Sequence, residues 1–224
     1  MNHPEKQLTE KESLDLIAQM INKAKDACHD TGVSAMMWGA LIAICSLVKF
    51  SEVQFRYQLP FDIYLLTAVA VIPQLVFSAQ KKKKRKVKTY DDAFLDNLWL
   101  AFGICIFLLI YIVNSIFHVW APVEEEYQAF SGHASSFQFY EFVAPFFLIL
   151  YGMPTFVTGM AMKFRPMLWG GILCWVCCII TIYTSLKIDL LLTAFSAVFA
   201  WLVPGIIMER NYRKAKQELK EANV

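Results

Sequence analysis

Apolar positions along the chain fall into blocks about 20 residues long, and polar or charged runs separate them. The blocks are 33–50, 60–79, 95–117, 141–161, 167–186 and 190–208. About 20 residues at 1.5 Å rise cross a ~30 Å hydrocarbon core. Most blocks lack the polar face that a water-soluble helix would keep. Ahead of them, residues 9–29 read as an amphipathic helix. Thr9 and Glu12 have capping-box spacing, and Leu14, Ile17, Ile21, Ala24 and Cys28 recur at steps of three and four. Lys11, Asp15, Lys25 and Asp26 take the other face, and Gly32 is a stop. Residues 118–140 read as one long loop, residues 187–189 as a tight turn, and the segment after Met208 as a polar helical extension. The expected fold class is all-α: a polytopic transmembrane bundle of six spans. Its parts are a cytoplasmic amphipathic helix over 1–32, a membrane domain over 33–208 and a basic helical tail over 209–224.

Composition agrees with the pattern. The 224 residues are 57% hydrophobic and 18% charged, with a mean hydropathy of +0.44, whereas soluble domains are about 45–50% apolar. Residues 1–32 are too polar for a cleavable signal peptide, so the first apolar block is expected to act as an uncleaved signal-anchor. Of the cysteines, Cys45, Cys105, Cys174, Cys177 and Cys178 fall inside expected spans and Cys28 precedes them. None falls in an expected external loop, so free thiols are expected.

Charge sets the orientation. Of 21 Lys and Arg, 18 lie in residues 1–32, the 81–88 loop, the 163–165 link and the tail. Lys49, Arg56 and Lys187 are the exceptions. This asymmetry predicts that both ends and the basic loops face the cytoplasm.

Several features invite a chemical reading. Lys81, Lys82, Lys83, Lys84, Arg85, Lys86 and Lys88 make a polybasic loop. Between two spans it is expected to sit against anionic headgroups, at ~1 kcal/mol per basic residue. It lacks the aromatics that stack on nucleic acid, so no nucleic-acid partner is expected. Asp62, Glu141 and Asp189 fall near the outer ends of their helices, level with Lys49, Arg56 and Lys187. They form a candidate outer vestibule, or they are carboxylates favoured by helix N-termini, the reading we prefer. His118, Glu124 to Glu126 and His133 match no metal motif and read as a solvated acidic loop. Cys174, Cys177 and Cys178 share a helix face without a histidine nearby, so a structural reading is preferred to a metal or redox site. No ionisable residue falls in the middle of any span, which argues against a proton relay.

Small residues at Gly39/Ala43, Thr155/Gly159 and Ser196/Ala200 have helix-packing spacing. Prolines 73, 145, 154 and 204 are expected to kink their spans. Residues 37–39 with 62–67 echo residues 168–170 with 189–193. That is either a parallel hairpin repeat or chance likeness between apolar segments.

The segments KESLDLIAQMINKAKD (11–26), WGALIAICSLVKF (38–50) and FRPMLWGGILCWVCCI (164–179) resemble a family of small six-span integral membrane proteins of Bacteroidetes-type bacteria. The resemblance implies a bacterial cytoplasmic (inner) membrane and a multi-pass layout. It implies no catalytic residue, as that family is described only as uncharacterised. The chain has no HExxH and no GxSxG motif. The expectation is therefore a non-enzymatic regulatory or scaffold component without a cofactor. It would use residues 9–29 toward a cytoplasmic protein partner and could form homo-oligomers. The alternative is a small-solute carrier or channel.

Overall fold

The computed structural model describes residues 32–84, 90–133 and 139–221. The amphipathic segment 9–29 and residues 85–88 of the polybasic run lie outside the described residues, as do the side chains of Lys81 to Lys84. The helices are α1 (Val33–Phe55), α2 (Leu65–Lys84), α3 (Tyr90–Ser131), α4 (Val143–Ala161), α5 (Arg165–Thr181), α6 (Leu186–Ala197) and α7 (Val203–Glu221). A 3₁₀ turn (Phe139–Phe142) precedes α4, and a π segment (Val198–Leu202) joins α6 to α7. No strand occurs among the described residues.

Four helical stretches are long and apolar enough to cross a membrane: Val33–Phe55, Ala93–Ser131, Val143–Ala161 and the joined Leu186–Glu218. Leu65–Gln80 and Arg165–Thr181 are apolar but shorter. Every apolar block of the sequence thus contains a helix.

Cross-helix contacts make α1 and α2, α3 and α4, and α4 and α5 antiparallel pairs. Trp38 Nε1 donates to Gln74 Oε1 at 3.3 Å and Ser46 Oγ meets the Tyr64 hydroxyl at 3.1 Å, which pairs α1 with the α2 hairpin arm. Trp99 Nε1 donates to Thr158 Oγ1 at 3.2 Å, while the Phe117 and Phe139 rings meet at the far end of α3 and α4. Glycine governs the closest approaches. A Cβ at Gly171 would stand 2.7 Å from the Phe156 nitrogen, and one at Gly159 would overlap the Leu168 backbone, so α4 and α5 touch main chain to main chain. A Cβ at Gly39 would come within 2.5 Å of the Leu202 nitrogen, and one at Gly170 within 2.5 Å of the Ala200 Cα. Thus α1 and α5 both pack on the π segment and the helices it joins. Ile42, Ala43, Leu148, Tyr151, Cys174, Cys177, Ala197, Ala200 and Trp201 form the core.

Several boundaries differ from the sequence reading. Helix α2 begins at Leu65 and not at residue 60, and α5 ends at Thr181. Residues 187–189, read as a tight turn, form the first turn of α6, so the reversal falls at 182–185 instead. The expected 118–140 loop is helical to Ser131, with Pro122 inside. Ala121 to Gln128 are mostly good helix formers, and Gln128 Nε2 donates to Glu124 Oε1 at 3.2 Å, one turn apart. Gly132 ends the helix at φ 70° and donates its N–H to the Gln128 carbonyl at 2.9 Å. Likewise α1 continues past residue 50 to Phe55, ending where Arg56 turns left-handed at φ 55°.

The prolines differ in what they do. Pro73 and Pro154 lie within α2 and α4, and Pro145 falls in the first turn of α4. Pro204 follows the π segment, and the N–H of Val203, just before it, reaches the Val198 carbonyl five residues back. Pro204 has no N–H to close an ordinary α turn on Ala200, so the widened turn falls where the α ladder is already broken.

Candidate functional site

The π segment carries the densest polar and aromatic centre among the described residues. Its five residues, VFAWL, bring Trp201 into the core, where the side chain is buried. Trp201 Nε1 donates to Thr155 Oγ1 at 2.7 Å, and Thr155 donates onward to the Tyr151 carbonyl at 2.6 Å. The indole stacks obliquely on Tyr151 at 4.9 Å and meets Phe102 at 6.2 Å and Trp99 at 6.4 Å. One indole thereby ties α3, α4 and the π segment together. A buried N–H in an apolar bundle needs an acceptor, and Thr155 supplies it while its own proton returns to the preceding turn.

Around this centre two other buried threonines bond to their own helix in the same way. Thr181 donates to the Cys178 carbonyl at 2.8 Å and Thr193 to the Asp189 carbonyl at 2.8 Å. Ser196 is fully buried, and its hydroxyl has no partner among the described residues. Cys45, Cys174, Cys177 and Cys178 are buried free thiols, and Cys105 is an exposed one. Cys178 Sγ lies 3.5 Å from the Pro145 carbonyl. The C-x-x-C-C face therefore packs against α4. No cluster of metal-ligating side chains occurs among the described residues.

The carboxylates of the vestibule reading occupy unlike places. Asp62 is exposed just before α2, and its side chain accepts the Tyr64 N–H at 3.0 Å. Asp189 lies in the first turn of α6, is fully buried, and accepts the Thr184 hydroxyl. The side chain of Glu141 lies outside the described residues. Lys49 pairs with Glu52 at 2.9 Å, a residue the sequence reading passed over. Glu52 is buried although it lies in the last turn of α1, and its Oε1 also accepts the Leu59 N–H at 3.0 Å. It folds the α1–α2 connection back on its own helix. Glu124 is half-buried, and His118 and His133 are exposed.

Two features of this centre were missed in the sequence. Trp99 and Trp201 were not singled out there. The available signal was position: tryptophans in membranes favour the interface, so an indole deep in a span asks for a buried acceptor. The π segment left a fainter trace, a proline three residues after Trp201.

The fold and its centre define an all-helical protein with several helices fit to cross a membrane. Compared with known protein families, curated proteins and solved structures, the chain matches none.

Proposed function

We propose that this chain is a six-span protein of a bacterial cytoplasmic membrane, with both ends inside, that acts through interactions as a regulatory or scaffold component and not as an enzyme. The observation that carries this reading is α7. It leaves the bundle without a break and continues to Glu221, so residues 209–221 form a rod of ~20 Å. Arg210, Arg213, Lys214 and Lys216 are exposed along it, and Arg213 pairs with Glu209 at 2.7 Å. A helix rigidly continuous with the membrane core can present charge at a fixed place on the cytoplasmic side. The amphipathic segment 9–29 offers a second cytoplasmic surface for a protein partner.

Support for six spans comes from pairing. Arg165–Thr181 covers ~26 Å, a little under the ~30 Å core, and lies antiparallel to α4 over its length. Leu65–Gln80 lies antiparallel to α1 in the same way. Helices paired at equal depth share one fate in the bilayer, and the alternation keeps 18 of 21 basic residues on one side. Fully buried Asp189, in the first turn of α6, is the observation that favours the carrier alternative, since a buried carboxylate in a membrane bundle is costly and often functional.

The test separates these readings. Deleting residues 1–28 should abolish recovery of a cytoplasmic partner from native membranes, and liposomes of the intact protein should show no solute flux. Flux that disappears in an Asp62, Glu141, Asp189 triple-alanine variant would replace the scaffold reading with the carrier. A tag at Val224 reached by externally added protease on intact cells would sink the orientation.

A further inference from the structure

We propose that a groove between α5 and the π segment is a binding site for one acyl chain of an anionic phospholipid, with its phosphate held by Arg165 and Arg210. This inference rests on the membrane orientation given above.

The groove encloses about 440 Å³. Its floor exists because Gly170 lets the α5 backbone touch Ala200. Its walls are the large side chains on either side, Trp169, Leu173 and Val176 from α5 and Phe199 and Val203 from the other helix. A small-residue floor between bulky walls makes a furrow, and the widened π turn presents Phe199 along one edge. The walls are apolar throughout, so water gains nothing there and a hydrocarbon chain fits. Pro166 to Val176 spans ~15 Å, about the depth of one leaflet of a ~30 Å core.

The two ends of the groove differ. Arg165 directly precedes Pro166 at one end, and Lys163 stands two residues earlier. Arg210 lies seven residues beyond Val203, two turns on along the same helical face. All three cations are exposed, and none pairs with a carboxylate among the described residues. The nearby Glu209 is held by Arg213. Trp169 is 65% exposed one turn above Arg165, where an indole marks the headgroup boundary. Apolar walls of leaflet depth, an interfacial indole and unpaired cations at one end together match a phospholipid with a net negative headgroup.

The probe is phosphatidylglycerol with a diazirine at the end of one acyl chain, compared with the same chain on phosphatidylcholine. Both are incorporated into liposomes with the full-length protein, and adducts are mapped by peptide. Adducts should concentrate on 166–176 and 199–204, with phosphatidylglycerol favoured about five-fold for each cation it engages. Arg165→Glu with Arg210→Glu should bring phosphatidylglycerol down to the phosphatidylcholine yield. Val176→Trp should fill the groove and remove both sets of adducts there. Because Arg165 and Arg210 are exposed, the charge variants leave the bundle packing alone. Equal yields from the two lipids in the unaltered protein would overturn the proposal. So would adducts spread evenly over α2 and α3 with the same preference, the signature of bulk boundary lipid. Orientation is read separately by labelling a cysteine placed at position 163 from outside. Labelling there with the lipid preference intact would sink the orientation alone.

Discussion

The α4–α5 hairpin and the α2–α3 pair all come from apolar blocks of the sequence, yet their surroundings are opposite. Along α4 and α5, Leu148, Thr155, Gly159, Gly171 and Cys174 are buried, and backbone meets backbone. On α2, Leu65, Val69, Ile72 and Leu75 are exposed, and on α3 so are Leu100, Phe107 and Tyr111. Hydrophobicity does not explain the contrast, since the α3 stretch is the most hydropathic of the long apolar helices and the least buried. Small residues do, because lipid tails are as apolar as leucine and only close approach makes protein contact better than lipid contact. Gly152, Gly159, Gly170 and Gly171 each have a neighbour where a Cβ would go, whereas Gly103 of α3 has nothing within 4 Å.

The contrast can be broken most severely at Gly159. Gly159→Leu drives a side chain into the Leu168 backbone and should cost about 3 kcal/mol or more. Thermal unfolding in detergent would read this as a large loss of melting temperature or of monodisperse protein. Survival of the variant at wild-type stability would mean that the hairpin is not packed as described. Next comes thiol access. Cys105 of α3 should react fully with an apolar maleimide in the folded protein, while Cys45 and Cys174 should react only after denaturation. Mass spectrometry of the labelled protein distinguishes the three sites.

Smaller effects sharpen the picture. Thr155→Val leaves the buried Trp201 N–H without its acceptor and should destabilise by about 1–3 kcal/mol. The accompanying change in tryptophan fluorescence reports the same loss. Glu52→Ala removes the Lys49 pair and the Leu59 N–H bond at the partly wet end of α1. It should cost about 1 kcal/mol, measured by the same unfolding experiment. The smallest effect belongs to Gly103→Ala, which should be neutral or stabilising by at most about 1 kcal/mol, from helix propensity alone. A clear destabilisation there would show that α3 has a close partner at that face.

Much of the helix inventory was legible in advance because backbone hydrogen bonding inside a helix is local and lipid offers no substitute for it. An apolar block bounded by lysines and prolines therefore had one regular structure open to it. Packing spacing was legible too: Gly39, Gly159 and Ala200 stand at close helix contacts. The α3 extension to Ser131 was not, because histidine, proline and a run of glutamates look like a loop when their i,i+4 partners are not counted. The suspected hairpin repeat shows the same gap. Trp38 and Trp169 occupy matching places in sequence, yet one donates to Gln74 and the other is exposed in a groove.

By itself, the order of residues determined where helices form, where charge accumulates and that the chain is far too apolar for an ordinary soluble domain. Only the tertiary structure decided which faces are covered, that Asp189 and Glu52 are buried, and that the ladder shifts register before Pro204 to place Trp201 against Thr155. The reason is physical. A side chain of a membrane helix is equally at home against lipid or protein, so its periodicity carries no mark of the inside, and burial is settled by partners far away in the chain.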